Sequence, residues 1–174
     1  MGIIIIVIGI ISAAALMIIL AVTQKIKAED RKKYYRAAHR IIREQYLDGA
    51  IRNGDGAESY SARRLMVALK LKGSKGMGYV FDPSREIKIG RSMDDNDVCF
   101  QDLSVSSQHC IIFLYENQLC IKDSDSANGT VVKSPWRSRQ SLFSDMTFLR
   151  NKSRIWVGNV CFIITIFYCE ISSE

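Results

Sequence analysis

A mainly β chain, built as an antiparallel β-sandwich behind one N-terminal transmembrane helix and a helical linker, is the architecture this sequence predicts. Three observations predict it. An uncharged apolar run fills Gly2 to Val22, a basic stripe of helical spacing follows it, and from Leu65 onward short period-two runs alternate with turn residues. At 174 residues the chain holds one complete domain and an appendage.

The first element is residues 1–23. At 1.5 Å per residue the run from Gly2 to Val22 makes a helix of about 30 Å, one hydrocarbon thickness. A cleaved signal peptide would show a basic start and a shorter apolar core, whereas here the run continues past Ala13-Ala14-Ala15 through Leu20. Ile6 stands where N-myristoylation wants Ser or Thr, and a buried core helix would keep a polar face. Basic residues crowd the C-terminal side: Lys25, Lys27, Arg31, Lys32, Lys33, Arg36, Arg40 and Arg43 against Glu29 and Asp30. The positive-inside rule then predicts an outside N-terminus and a cytoplasmic C-terminal part, in the cell membrane. This cluster also accounts for much of the excess of 24 Lys and Arg over 18 Asp and Glu, favouring a lipid surface over nucleic acid.

The second element, residues 24–60, is predicted as a basic amphipathic helix with a flexible joint. Tyr34, Tyr35, Ala38, Ile41, Ile42 and Tyr46 recur at helical spacing. Such a stripe suits an anionic leaflet or a partner helix, and equally a solvated stalk. The helix is expected to stop near Asp48-Gly49, and Asn53-Gly54-Asp55-Gly56 reads as a joint that leaves the following domain free to reorient.

Beyond it, Leu65, Val67, Leu69 and Leu71 alternate with smaller or polar residues. Further strand-like runs occupy Tyr79–Phe81, Ile87–Ile89, Cys110–Tyr115, Leu119–Ile121, Thr130–Val132, Ile155–Val157 and Val160–Phe167. Many short strands divided by Gly, Asn, Asp and Ser predict two sheets sharing one core. Cys99, Cys110, Cys120, Cys161 and Cys169 form no CxxC pair and lie in apolar runs, as buried reduced cysteines do. With only His39 and His109 as histidines, no metal site is expected.

The motifs within this region come in a definite order. Ile89-Gly90-Arg91-Ser92 is followed by Asn96-Asp97-Val98, Asp102, Val105-Ser106-Ser107-Gln108-His109, Asp123, Ser126-Ala127-Asn128-Gly129-Thr130 and Trp156-Val157-Gly158-Asn159. In this order the segment from about Ser61 to Tyr168 resembles the forkhead-associated (FHA) domain, with domain bounds taken as 61–170. The resemblance implies a phosphothreonine-peptide binding module with no cofactor and no catalysis. It implies that Arg91 meets the phosphate, a role that suits a planar guanidinium fork. Ser106 would donate its hydroxyl to the same phosphate, Ser107 would add a contact, and Asn128 would hydrogen-bond the peptide main chain. Gly90, His109, Gly129 and Thr130 would support the loops, with His109 as a brace. The chain departs from the family in having uncharged Ser107 and Gln108 before the histidine. Lys133, Arg137 and Arg139 are candidates to restore positive charge, while Asp94, Asp95, Asp123 and Asp125 would oppose an anion if they faced it.

The same resemblance implies a partner in trans, phosphorylated by a Ser/Thr protein kinase, since the stretch from Gln24 to Tyr60 contains no threonine. One membrane helix joined to a C-terminal FHA domain is similar to bacterial membrane-anchored proteins of cell-envelope synthesis and division. The expected function is recruitment of a phosphorylated partner at the cytoplasmic membrane face. The alternative is a phosphate-independent scaffold using the same fold or the juxtamembrane helix. A hydrolytic triad of Ser106, His109 and Asp102 is poorly served by a Ser and His three apart in one loop, and no nucleophile elbow occurs. Within the β region no basic face with an aromatic platform supports nucleic-acid binding.

Overall fold

The short runs after Ser61 pair into two packed sheets in the computed structural model of the protein, which describes residues 2–53, 61–74, 76 and 78–172. One helix, α1 (Gly2–Asn53), precedes β1 (Ser61–Leu71), β2 (Tyr79–Phe81), β3 (Ile87–Gly90), β4 (Val98–Cys99), β5 (Cys110–Tyr115) and β6 (Gln118–Asp123). Then follow β7 (Thr130–Lys133), β8 (Arg139–Leu142), β9 (Met146–Phe148), β10 (Arg154–Val157) and β11 (Val160–Ser172). The sheets have strand orders β2-β1-β11-β10-β7-β8 and β4-β3-β5-β6-β9. Pairing is antiparallel except between β3 and β4, which run parallel through Ile89↔Val98 and Gly90↔Cys99.

Alternation places one face of each sheet in a common core. Val67, Leu69, Ile155, Val157, Phe162 and Ile164 from the first sheet meet Ile87, Ile89, Ile112, Leu119 and Ile121 from the second. Lys88, between two buried isoleucines, stays exposed. All five cysteines are free thiols, and burial pushes the Cys110 pKa up to about 12, so it packs as an inert apolar group. Strands β4, β8 and β9 lie outside the predicted runs. Two residues are too few for periodicity, and β8 (Arg-Gln-Ser-Leu) buries only Leu142.

The linker differs most from expectation. α1 runs unbroken past Asp48 to Asn53, and its apolar stripe covers the outer face of the first sheet. Ala38 and Ile42 are fully buried with Met66 and Cys169, and Tyr34 and Tyr35 pack on Phe167 with ring centroids 6.3 and 5.3 Å away. Asp30 accepts from Lys70 Nζ at 2.7 Å, and Gln45 Oε1 accepts from Arg64 Nη1 at 2.7 Å. The helical part of the linker is therefore docked on its own sheet rather than free. Of the expected joint, Asn53 is the last helical residue and 54–56 lie outside the described residues.

Apolar burial outweighs the ion pair in holding the helix, because Asp30 and Lys70 keep about a quarter of their surface wet and such pairs contribute under about 1 kcal/mol. Ile42→Ala is expected to destabilise the full chain by about 2 to 3 kcal/mol in denaturant unfolding, and Asp30→Asn by less than about 1 kcal/mol. The reverse ranking would mean that charge, not packing, holds the helix.

Candidate functional site

The loops after β3, β4 and β6 and the β10–β11 turn gather at one end of the sandwich, tied together by short polar contacts. Gly90 opens the first loop with no room for a side chain. A Cβ there would strike the Ser107 carbonyl oxygen and come within 2.7 Å of the Asn96 amide. Arg91 follows, half-buried, with its N–H donating to Ser106 O at 2.9 Å and its Nε–H to Val105 O at 3.1 Å. The Nε bond orients the guanidinium plane and leaves its two terminal nitrogens without a hydrogen-bond partner among the described residues. Asn96 Nδ2 donates to Ser92 O and Ser107 O, both at 2.7 Å, stitching this loop to the next.

His109 is wholly buried and decides the shape of the second loop. Its Nδ1 accepts the Ser106 N–H at 3.1 Å, so Nε2 carries the proton and donates to Gly129 O at 3.2 Å. The Ser106 hydroxyl accepts the Ala127 N–H at 3.0 Å, which leaves its own proton available to a ligand. Asn128, exposed, donates from Nδ2 to Ser104 O at 2.8 Å, and its side-chain carbonyl has no partner among the described residues. Ser104 in turn donates its hydroxyl to Asp102 at 2.6 Å and accepts the Asn159 N–H at 2.8 Å. The two bonds from Ser104 hold the Asp102 carboxyl below its usual pKa. Gly129 takes φ +68°, a left-handed turn in which a Cβ would meet the Phe143 ring.

Burial of His109 lowers its pKa, against smaller opposing effects of Gly129 O and Asp123. A depressed pKa in the folded state means that the unfolded chain takes up the proton first. The stability contribution is complete above about pH 6.5 and is lost as pH falls through the lower folded value. The full chain is expected to unfold at lower denaturant at pH 5 than at pH 7.5, and His109→Gln should flatten that difference; an unchanged slope would remove His109 as its source.

Asp123, buried at the end of β6, is the second anchor. Its Oδ1 accepts from the Ser126 and Thr130 hydroxyls at 2.7 and 2.6 Å, and its Oδ2 from the Ser126 and Ser144 N–H groups at 3.0 and 3.3 Å. Burial alone would raise its pKa, but the hydrogen bonds together lower it. This acid therefore faces inward. Asp95 is occupied by the Ser92 hydroxyl and Asp125 by that of Ser144.

Arg91, Ser106, Ser107 and Asn128 thus share one end of the sandwich, with Gly90, His109, Gly129 and Thr130 beneath them. The basic residues expected to add charge do not join them. Lys133 and Arg139 pair at the opposite end of the β7–β8 hairpin, three strand residues or about 10 Å beyond Thr130, and Arg139 lies over the Trp156 ring at 4.7 Å. Nor do Ser106, His109 and Asp102 form a triad, because His109 binds the Ser106 backbone and Asp102 binds Ser104. Ser104 is absent from the sequence motifs, and Asn96 and Asn159 stand in them without a role. The Asp-x-Ser spacing of Asp102 and Ser104, here an Asx turn with Ser104 N–H on Asp102 at 2.8 Å, was the available signal.

Residues 87–158, from β3 to the β10–β11 turn, match the family model for the FHA domain. The chain carries an FHA domain. Its FHA fold is similar to that of the FHA domain of CT664 protein from Chlamydia trachomatis, at 21% identity and a TM-score of 0.50, covering 59% of this chain and 98% of that one. It is similar as well to the FHA domain of an Arabidopsis thaliana hypothetical protein, at 21% identity and TM-score 0.51, covering 69% and 98%. Among curated proteins none matches the sequence.

Proposed function

We propose that this protein is a membrane-anchored reader of phosphothreonine peptides that recruits a kinase-phosphorylated partner to the cytoplasmic membrane face. One observation carries the reading: Arg91 is oriented by its Nε bond to Val105 O, with both terminal nitrogens unpartnered among the described residues, beside a Ser106 hydroxyl whose oxygen is already occupied. A fixed guanidinium fork and a spare hydroxyl proton suit a phosphate, and the free Asn128 carbonyl suits a peptide N–H. α1 supplies the anchor, being the one helix among the described residues long and apolar enough to cross a membrane. On this reading residues 1–23 span the bilayer, 24–60 connect, and 61–170 bind. Ser107 stands exposed at the rim, where its hydroxyl can add a contact.

A phosphate-independent scaffold is the rival, favoured by the remoteness of Lys133 and Arg139, which leaves Arg91 as the cation of the site. Screening the full chain in detergent against a phosphothreonine peptide library, with unphosphorylated peptides and Arg91→Ala beside it, separates the two. Phosphate-dependent binding lost in the variant supports the reader; partner binding indifferent to phosphate and to Arg91 supports the scaffold.

A further inference from the structure

The contacts between α1 and β1 fix which end of the sandwich approaches the membrane. Lys70 meets Asp30 and Arg64 meets Gln45, so β1 runs antiparallel to the helix with its Leu71 end toward the apolar run. From Asp30 to Gln45 the helix rises about 22 Å, and from Arg64 to Lys70 the strand covers about 20 Å, so the two axes are nearly parallel. β11 continues that alignment, with Leu71↔Phe162 paired and Lys72 N–H on Cys161 O at 2.8 Å. The turn at Gly158-Asn159 therefore lies about 13 Å beyond Lys70 in the direction of the helix N-terminus. The same distance along α1 from Asp30 ends at about Val22, where the uncharged run stops.

Asn159 is the residue held by Ser104, which also holds Asn128, so the whole loop cluster sits at this level. The headgroup layer is only about 5 to 7 Å deep on each side of the hydrocarbon, and an ordinary helix tilt of about 20° shifts the loops by about 5 Å. A second observation agrees. Met93, Leu103 and Phe143 are exposed apolar side chains at this end, Leu103 at 91%, with Phe143 beside Gly129. Such tips suit a lipid interface, while Asp94 and Asp95 next to Met93 leave that loop without a basic patch.

We propose that the binding end of the sandwich faces the bilayer, and that its ligand is a phosphothreonine in the juxtamembrane segment of a second membrane-embedded protein. The ligand half rests on the phosphothreonine reading above, and both halves rest on α1 spanning the membrane. An extended segment leaving the bilayer reaches the loops within about ten residues at 3.3 Å each, whereas a folded soluble protein does not fit the gap.

The test uses the full chain in nanodiscs. A fluorophore at Leu103 should be quenched by headgroup-spin-labelled lipid, and one at Glu116, at the other end of β5 and about 20 Å farther out, should not. A short phosphothreonine peptide should bind, whereas the same peptide flanked on both sides by folded domains should bind at least ~10-fold more weakly. An 18-residue helical insertion after Thr23, five turns and about 27 Å, should restore the flanked ligand without altering the short one. Equal quenching at both positions, or equal binding of the flanked ligand with and without the insertion, overturns the proposal. If the short peptide fails to bind, the phosphothreonine ligand is overturned while the quenching result still decides the orientation.

Discussion

Arg91→Ala is expected to weaken phosphothreonine-peptide binding by at least ~100-fold, about 2.7 kcal/mol, while changing unfolding stability by less than about 1 kcal/mol. The loss is large because both terminal nitrogens are available to one phosphate, and each hydrogen bond to a charged group contributes about 1.5 to 3 kcal/mol. The fold depends little on the side chain, which among the described residues makes one hydrogen bond, from Nε to Val105 O. Arg91→Lys should not rescue binding. An ammonium on a flexible stem has no counterpart to the Nε bond that sets the plane, so the charge is kept and the bidentate geometry is lost. Calorimetric titration beside denaturant unfolding separates the two effects, and wild-type affinity in the lysine variant would reduce Arg91 to a point charge.

Asp123→Ala is expected to have the largest effect on stability, about 3 to 5 kcal/mol, and to disorder the loop carrying Asn128. Removing a buried carboxylate strands two backbone N–H groups, Ser126 and Ser144, and two hydroxyls, Ser126 and Thr130. Asp123→Asn should cost less, about 1 to 2 kcal/mol, for a geometric reason. The amide oxygen can face the two N–H groups while the NH₂ faces hydroxyls, which can turn and accept. Thermal or denaturant unfolding of both variants checks the order; an alanine variant as stable as the asparagine one would mean that water replaces the carboxylate.

Much of the sandwich was legible because the strands that build its core alternate, as in Ile87-Lys88-Ile89. The docking of α1 was legible only in half. Its stripe through Tyr34, Ala38 and Ile42 stands out, whereas its receiving surface is hidden in Leu65 to Leu69 and in Val160 to Phe167, where Thr165 alone interrupts a run that is apolar in both phases. A strand apolar on both sides is covered on both sides. At the site, the ligand-facing residues could be carried over from the resemblance, position by position. The polar framework under them could not, because Asn96, Ser104 and Asn159 meet partners that only the fold brings near; Asn159 and Ser104 lie 55 positions apart. Asp123 shows the same limit from the other side, since the sequence leaves open whether its carboxylate faces the anion, and the fold points it into the protein.

Ser104 touches three chain segments at once: Asp102 through its hydroxyl, Asn128 through its carbonyl, and the Asn159 amide through its oxygen. For anyone re-engineering specificity, this means that the loops are not interchangeable cassettes. A donor segment grafted in place of 124–129 must present an amide at the height of Ser104, and one grafted over 100–105 must restore an acceptor for the β10–β11 turn. Random libraries are best confined to the outward-facing positions Ser107, Gln108 and Ala127, with the small serine beneath them left untouched.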